Sequence, residues 1–288
     1  MPFPRTLAEA RRGLVQAAAR SSDTPRLDAD TLLAHWLGRP RAWVLAHPEA
    51  PFPRALVARW RAARARLLLG EPLPYVLGEW PCYDRTFSVT PAVLIPRPET
   101  ETLIEHALAW LRQRPHARVV DVGTGSGCIA IILAAQAPHT RVIGTDRSRA
   151  ALAVAQANAQ RHHVAVTWVQ TDLLAGLGGM WDLIVANLPY IPTAELTRYR
   201  VGQHEPVLAL DGGVDGLMPL RRLLHQARTR LARGGLLLAE IGAEQAQQAQ
   251  AVARTYFPHA RITLHPDLAG QPRVLALQWP RDEAATPS

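Results

Sequence analysis

Residues Val119-Val120-Asp121-Val122-Gly123-Thr124-Gly125-Ser126-Gly127 constrain the fold more than any other stretch. An apolar strand runs into a glycine-rich turn, and the turn opens a helix. Glycines there let the backbone bend sharply and approach a ligand with no Cβ in the way. The spacing is G-x-G-x-G. Cys128 stands where a dinucleotide fingerprint needs its third glycine, and no Gly-Lys-Ser/Thr follows to make a Walker loop.

Around this turn the chain alternates strands and helices, the signature of a parallel sheet. Strands are expected at Arg118–Val122, Arg141–Thr145, Val166–Gln170, Trp181–Ala186 and Gly235–Glu240. Helices fit between them at Cys128–Gln136, Arg149–Arg161 and Leu217–Ala232. A further helix, Glu244–Tyr256, precedes Arg261–Leu264 and Arg273–Trp279, which read as an antiparallel edge pair.

Two acids close the second and third strands. Asp146 lies 23 residues beyond Gly123, where a carboxylate accepts both hydroxyl protons of a ribose. Asp172 comes at the height of an adenine amino group. A strand-end aspartate alone is more often a cap or turn residue. The glycine turn, Asp146 and Asp172 on three successive strands together favour an S-adenosylmethionine site over a dinucleotide site.

The fourth strand ends in Asn187-Leu188-Pro189-Tyr190, where open α/β sheets bind ligands. Pro189 keeps Leu188 extended. Methyl transfer from a sulfonium is an in-line displacement, so the protein mainly aims the acceptor and excludes water. An amide or exocyclic amino nitrogen is planar and needs acceptors for its N–H groups. Asn187 Oδ1 and the Leu188 carbonyl supply two, and Tyr190 offers a ring to pack on the planar group. Neither role needs a titratable base, and none is evident nearby. Asn and Pro are also common turn residues, so a plain strand-to-loop turn is the competing reading. The order of the preceding motifs favours the clamp.

Residues 1–85 read as a helical bundle. One helix runs from Thr6 to Ala19. A second opens at Pro25 behind Asp23 or Thr24, faces inward with Leu27, Leu32, Leu33 and Trp36, and stops at Gly38. A third, Pro53 to Leu69, carries Arg54, Arg59, Arg61, Arg64 and Arg66 on its outer face. That face reads as a solvated surface, with contact to an RNA-rich partner as the alternative. Gly70 to Tyr75 reads as a proline-punctuated linker. In residues 86–117 a hairpin of Phe87-Ser88-Val89 and Val93-Leu94-Ile95 precedes a helix ending near Gln113. The sheet domain then spans 118–280, and 281–288 read as a frayed tail.

Composition bounds the function. Apolar content of 48% with 19% charged residues is that of a globular chain. The formal charge is +8, and the chain has no lysine, so every basic side chain except histidine is arginine. Residues 1–85 hold 13 Arg against 8 acids, and residues 86–288 hold 19 against 16. The basic bias therefore sits at the front, which permits a nucleic-acid-associated partner without demanding one. Cys82 and Cys128 have no metal-ligand spacing, so neither a disulfide framework nor a metal site is expected. No apolar run approaches the roughly 20 residues that span a bilayer. A cytoplasmic protein is expected.

The chain resembles the release-factor glutamine methyltransferases, the PrmC/HemK family, over nearly its whole length. The resemblance rests on Pro25-Arg26-Leu27-Asp28-Ala29, Gly70-Glu71-Pro72-Leu73 and Leu94-Ile95-Pro96-Arg97-Pro98-Glu99-Thr100-Glu101. It continues through Asp121 to Gly127, Asn187 to Tyr190, Glu205-Pro206, and Asp211-Gly212-Gly213 with Asp215-Gly216. The Ile-Pro-Arg-Pro-Glu-Thr-Glu stretch discriminates best, because generic amino methyltransferases lack it. The resemblance implies a Rossmann-like class I α/β methyltransferase domain with a seven-stranded, mostly parallel sheet and an N-terminal helical bundle for substrate recognition. It implies S-adenosyl-L-methionine as cofactor, held by Gly123, Thr124, Gly125, Ser126, Gly127, Asp146, Asp172, Leu173 and Asn187. It implies a glutamine of class-1 peptide chain release factors as acceptor, held by Asn187, Leu188, Pro189 and Tyr190. Asn187 and Tyr190 are the expected catalytic residues, Asn187 close to both ligands. A monomer is expected, without a nucleic-acid substrate.

Two departures stand out. The family's usual clamp is Asn-Pro-Pro-Tyr, and Leu188 takes the second place. That loses one stiffening ring, about a few tenths to 1 kcal/mol of pre-ordering, and keeps the carbonyl. Leu173 follows Asp172 where some members carry an aromatic. Arg97 and Glu99 are read as the start of the following helix rather than as site residues. The alternatives are a glutamine methyltransferase acting on a ribosomal protein, an adenine N6-methyltransferase, and a non-catalytic cofactor-binding module.

Overall fold

The computed structural model describes residues 3–198 and 204–281 and divides into two compact units, Met1–Glu79 and Trp80–Ser288. The expected tail at 281–288 lies, after Arg281, outside the described residues. The first unit is helical: α1 (Leu7–Ala18), α2 (Pro25–Leu37), α3 (Arg41–Ala46), α4 (Val57–Leu68) and α5 (Leu73–Leu77). The Thr6 hydroxyl caps α1 by accepting the Glu9 amide. Pro25 opens α2, and Gly38 closes it in the left-handed conformation. Helix α1 packs on α2 and α4. Gly13 makes room for the Trp60 ring, since a Cβ there would lie 2.5 Å from Cζ2, and Trp60 Nε1 donates to the Ala10 carbonyl.

Two expectations change in this unit. The linker at Gly70 to Tyr75 is partly helical: Pro72 and Pro74 occupy the cap and first turn of α5, where a missing N–H leaves no bond unmade. Leu27 is exposed, because the buried stripe of α2 runs through Ala29, Leu32, Leu33 and Trp36. Of the arginine face, Arg66 is bound to Glu71 and the Tyr75 carbonyl, and Arg59 lies over the Trp36 ring.

A two-stranded sheet follows, β1 (Glu79–Cys82) with β2 (Arg85–Ser88). This is a correction: the hairpin closes at Tyr83-Asp84, and Val93 to Ile95 form no strand. Tyr83 adopts φ +58 without being glycine, so no turn dipeptide announced the hairpin. Then come α6 (Thr100–Leu111), β3 (Arg118–Val122), α7 (Cys128–Gln136), β4 (Arg141–Asp146), α8 (Arg149–Arg161), β5 (Thr167–Gln170), β6 (Trp181–Ala186), α9 (Met218–Ala227), β7 (Leu231–Glu240), α10 (Ala246–Tyr256), β8 (Arg261–Pro266) and β9 (Pro272–Gln278). Helix α9 ends five residues earlier than expected. The Trp181 amide reaches the Arg230 carbonyl and draws the chain into the sheet from Leu231.

The seven-stranded sheet has the order β5-β4-β3-β6-β7-β9-β8. Strands β5 to β7 pair in parallel, and β9 pairs antiparallel with both β7 and β8. Alternate residues divide between two cores. Val119, Leu183, Val185 and Leu238 face Leu103 and Ile104 of α6 and Ile131 and Ile132 of α7. Val120, Ile184, Ala186 and Leu237 face Leu220, Leu223 and Leu224 of α9 and Ala249 and Ala253 of α10. Strand order reverses between β3 and β6, which opens a crevice beyond their carboxyl ends. No helix of the described residues is long and apolar enough to cross a membrane.

Candidate active site

A cavity of about 420 Å³ occupies that crevice, a size suited to a small-molecule ligand. One wall is the turn after β3. Gly123 and Thr124 both donate backbone N–H to the Thr145 carbonyl, at 2.9 and 2.8 Å, which fixes the turn to β4. Gly123, Gly125 and Gly127 all have positive φ, the left-handed region that favours glycine. Their surroundings differ. A Cβ on Gly125 would meet only the Gly123 carbonyl, at 4.0 Å, so this residue leaves open space. A Cβ on Gly127 would press on Ala155, Trp168 and Ile131 at 3.0–3.1 Å. Gly127 therefore caps α7 and packs on neighbouring side chains rather than lining the cavity.

Asp146 ends β4 in the cavity wall. Its Oδ2 accepts Gly125 N–H at 3.0 Å and its Oδ1 accepts Ser148 N–H at 2.8 Å. Burial raises its pKa against those bonds. Behind the turn, Asp121 is fully buried and accepts Thr124 Oγ1–H and Ala130 N–H. Burial pushes it up to about 7. Asp172 and Leu173 also line the cavity, two residues beyond the end of β5. Asp172 Oδ2 is paired with Arg222 of α9, while its Oδ1 is buried without a partner. Leu173 takes φ +57 and is held there by Thr145 Oγ1–H on its carbonyl.

The segment after β6, the strand paired with β3, lies beside the glycine turn. Asn187, Leu188 and Pro189 line the cavity, and Tyr190 lies outside the lining. Leu188 is buried, and its Cδ2 stands 3.0 Å from the place of a Cβ on Gly123. Its side chain thus fills the space the glycine leaves. Asn187 Nδ2 donates to Thr100 Oγ1 at 3.0 Å, and Thr100 Oγ1 donates to Glu240 Oε2 at 2.8 Å. Tyr190 O–H donates to Glu240 Oε1 at 3.4 Å. Burial pushes Glu240 up to about 7 and Tyr190 up to about 12.

The segment leaves the site under restraint. Gln245 Nε2 donates to the Tyr190 carbonyl at 2.9 Å and the Asp215 carbonyl at 3.1 Å. Ile191 pairs with Asp211 in an isolated parallel bridge. A Cβ on Gly216 would lie 2.3 Å from the Tyr190 carbonyl oxygen, so that turn admits glycine alone.

Several of these residues escape the sequence reading. Thr100 lies in the Ile-Pro-Arg-Pro-Glu-Thr-Glu stretch; α6 does start there, with Glu99 at its N-cap position though without a side-chain cap bond, and the role of Thr100 beside Asn187 is what the helix-start reading misses. Arg97 instead pairs with buried Glu205, which also accepts Ile95 N–H at 3.0 Å. Glu240 corrects the expectation that no titratable group lies near the clamp. Its signal was an acid closing the apolar run Leu236 to Ala239, the same signal that singled out Asp146. Asn158 is fully buried on α8; its Nδ2 donates to the Ser88 and Ser126 carbonyls and its Oδ1 accepts Ser88 N–H at 2.7 Å. It ties the hairpin to the glycine turn.

The open face of Gly125 and the Asp146 carboxylate fit a ribose-bearing ligand, and Asp172 lines the same cavity. Among the described residues, no group of three or more His, Cys, Asp or Glu is placed to hold a metal.

The chain matches the family description "PrmC N-terminal domain" over residues 6–78 and "Methyltransferase small domain" over residues 100–204. A release factor glutamine methyltransferase of Moorella thermoacetica is 42% identical over 287 residues, covering 98% of this chain and all of its own length. One of Bordetella pertussis is 45% identical over 234 residues, 80% of this chain and 86% of its own length. Among solved structures, a ribosomal protein L11 methylase from Lactobacillus delbrueckii subsp. bulgaricus superposes with a TM-score of 0.51 at 23% identity, over 67% of this chain and 84% of that one. That likeness carries the fold.

Proposed function

The chain belongs to the release factor glutamine methyltransferase family, and on that premise we propose that it methylates the side-chain amide nitrogen (N5) of the glutamine in the Gly-Gly-Gln motif of class-1 peptide chain release factors. S-adenosyl-L-methionine is the methyl donor in this reading, with Gly123, Thr124, Gly125, Ser126, Asp146, Asp172 and Leu173 holding it. When bound, it supplies a methyl carbon activated by an adjacent sulfonium, a good leaving group. The observation that supports the reading is that Asn187 and Leu188 line one cavity together with the glycine turn and both strand-end acids.

Asn187 Oδ1 and the Leu188 carbonyl accept the N–H groups of the glutamine amide and aim its remaining lobe at the methyl carbon. Held this way, the nitrogen would be aligned with the methyl carbon that the donor would supply, and the amide would release one proton to solvent. An amide nitrogen loses that proton readily once methylated, so the residues need only orient the acceptor and keep the site dry. Tyr190 acts through its ring and its bond to Glu240, because a hydroxyl pushed up to about 12 stays protonated. The helical front, with its excess of arginine, is assigned to substrate recognition. A substrate that works on the ribosome implies a cytoplasmic enzyme.

The test is incubation with labelled S-adenosylmethionine and, in parallel, purified release factors, ribosomal proteins, and DNA or RNA alone. Label on the Gly-Gly-Gln peptide is expected. Label confined to ribosomal protein or nucleic acid would overturn the proposal.

A further inference from the structure

Asn187 can accept an amide N–H only if its own carboxamide is turned the right way round. Oxygen and nitrogen of that group are nearly the same size, so packing does not select between the two orientations. Hydrogen bonding selects. Thr100 has a single hydroxyl hydrogen, and Glu240 Oε2 at 2.8 Å takes it. Thr100 Oγ1 is then left as an acceptor, and Asn187 fills it with Nδ2–H at 3.0 Å. Among the described residues no protein donor reaches Asn187 Oδ1, and Asn187 lines the cavity. The relay runs from β7 through the first residue of α6 to the end of β6, and two of its three members are buried.

We propose that Glu240 and Thr100 are positioning residues that set the flip state of the Asn187 carboxamide, so that its oxygen, and not its nitrogen, faces the acceptor amide. The inference rests on the reading of Asn187 as an amide clamp. Its consequence is a proton-dependent lock. With Glu240 ionised, every donor in the relay points toward β7. A protonated Glu240 offers a hydrogen of its own to Thr100 Oγ1. Thr100 is then free to donate to Asn187 Oδ1, which turns the Asn187 amino group to the cavity and presents a donor to a donor.

The groups around Glu240 set where the lock releases. Burial raises its pKa to about 7, against the Thr100 and Tyr190 hydrogen bonds and the charge of Arg273 on β9, which lower it; Glu99 ahead of α6 raises it. The ionised, locked state therefore dominates above pH about 7 and is lost below it. Asp121 under the glycine turn is also pushed to about 7. Cofactor affinity must be followed in parallel to separate the two.

The experiment compares Thr100→Val, Thr100→Ser and Glu240→Gln with the wild-type enzyme, reading kcat and KM for a Gly-Gly-Gln release factor and the cofactor Kd from pH 5.5 to 9. Thr100→Val keeps the shape and removes the relay. Loss of a hydrogen bond that selects between two states is expected to lower kcat about tenfold or more in Thr100→Val, with cofactor Kd within about twofold. Thr100→Ser restores the hydroxyl and most of the rate. Wild-type kcat falls on the acid side of about 7, and that limb flattens in Thr100→Val and Glu240→Gln. Should Glu240→Gln fail to fold, the Thr100 pair decides alone. Wild-type kcat in Thr100→Val, or an acid limb unchanged in it, would overturn the lock. A rate loss that Thr100→Ser does not rescue would do the same. Asn187→Ala, run alongside, separates the two levels. If it turns over normally the clamp itself is wrong; if it is dead while Thr100→Val is fully active, only the lock is wrong.

Discussion

Leu188 shows how a residue can matter twice. In the proposed clamp its carbonyl is the part the chemistry uses, a reading the sequence offers because Pro189 holds the residue extended. Its side chain, to which the sequence reading gave no role, is buried and seats against the left-handed Gly123. No sequence pattern reveals this, since the contact joins the ends of two strands 65 residues apart. Leu188→Ala should destabilise the protein by about 2–3 kcal/mol and weaken cofactor binding by loosening the glycine turn. Leu188→Pro, which restores the family's usual residue, should keep turnover within about threefold, a fraction of the 1 kcal/mol scale of loop stiffening. Denaturant titration and cofactor titration check the first, and steady-state turnover of a release factor checks the second. A stable Leu188→Ala protein with unchanged cofactor affinity would show that the contact is idle.

Among the elements, the sheet was the legible part. Apolar runs between turn signals gave the five parallel strands, most plainly β3, β6 and the second half of β7, which are buried on both faces and must read that way. The joints were not legible. The hairpin at Glu79–Cys82 and Arg85–Ser88 turns on Tyr83, which has no glycine signature, and α5 begins in a run of prolines that reads as a linker. Asn158 explains why the hairpin matters to the site. Its one side chain satisfies both backbone groups of Ser88 and the carbonyl of Ser126. Asn158→Ala removes the partner of the buried Ser126 carbonyl and of both half-buried Ser88 backbone groups and should cost about 2–4 kcal/mol. It should also weaken cofactor binding, because Ser126 lines the cavity. A variant as stable as wild type, or one destabilised with cofactor affinity intact, would contradict the link.

On the scale of the whole molecule, two buried acids shape the response to pH. Asp121 and Glu240 sit at the carboxyl ends of β3 and β7, and both are pushed up to about 7 from ordinary values of 3.8 and 4.5. The folded state then holds the proton more tightly than the unfolded chain. The stability each acid contributes is complete below its unfolded pKa and is lost as pH rises through about 7. For Asp121 the span corresponds to about 4 kcal/mol at most. Asp121→Asn removes that titration. The Tm of the wild-type protein relative to Asp121→Asn should therefore fall steadily between pH 4 and 8. A difference that is flat or rises with pH would contradict the assignment.

The sequence carried most of the site because its chemistry sits at strand ends, where short motifs are contiguous: the glycine turn, Asp146, and Asn187 to Tyr190. What it hid was assembled across elements, namely Thr100, Glu240, Asn158 and the Arg222 partner of Asp172. The account's central claim remains that Asn187 clamps the acceptor amide and is not needed to hold the cofactor. Asn187→Ala tests it most directly, with turnover of a Gly-Gly-Gln release factor and cofactor Kd measured on the same preparation. The expected result is turnover reduced at least about a hundredfold, as for a lost positioning group, with cofactor affinity largely kept. Undiminished turnover, or loss of cofactor binding to the same extent as turnover, would contradict the clamp.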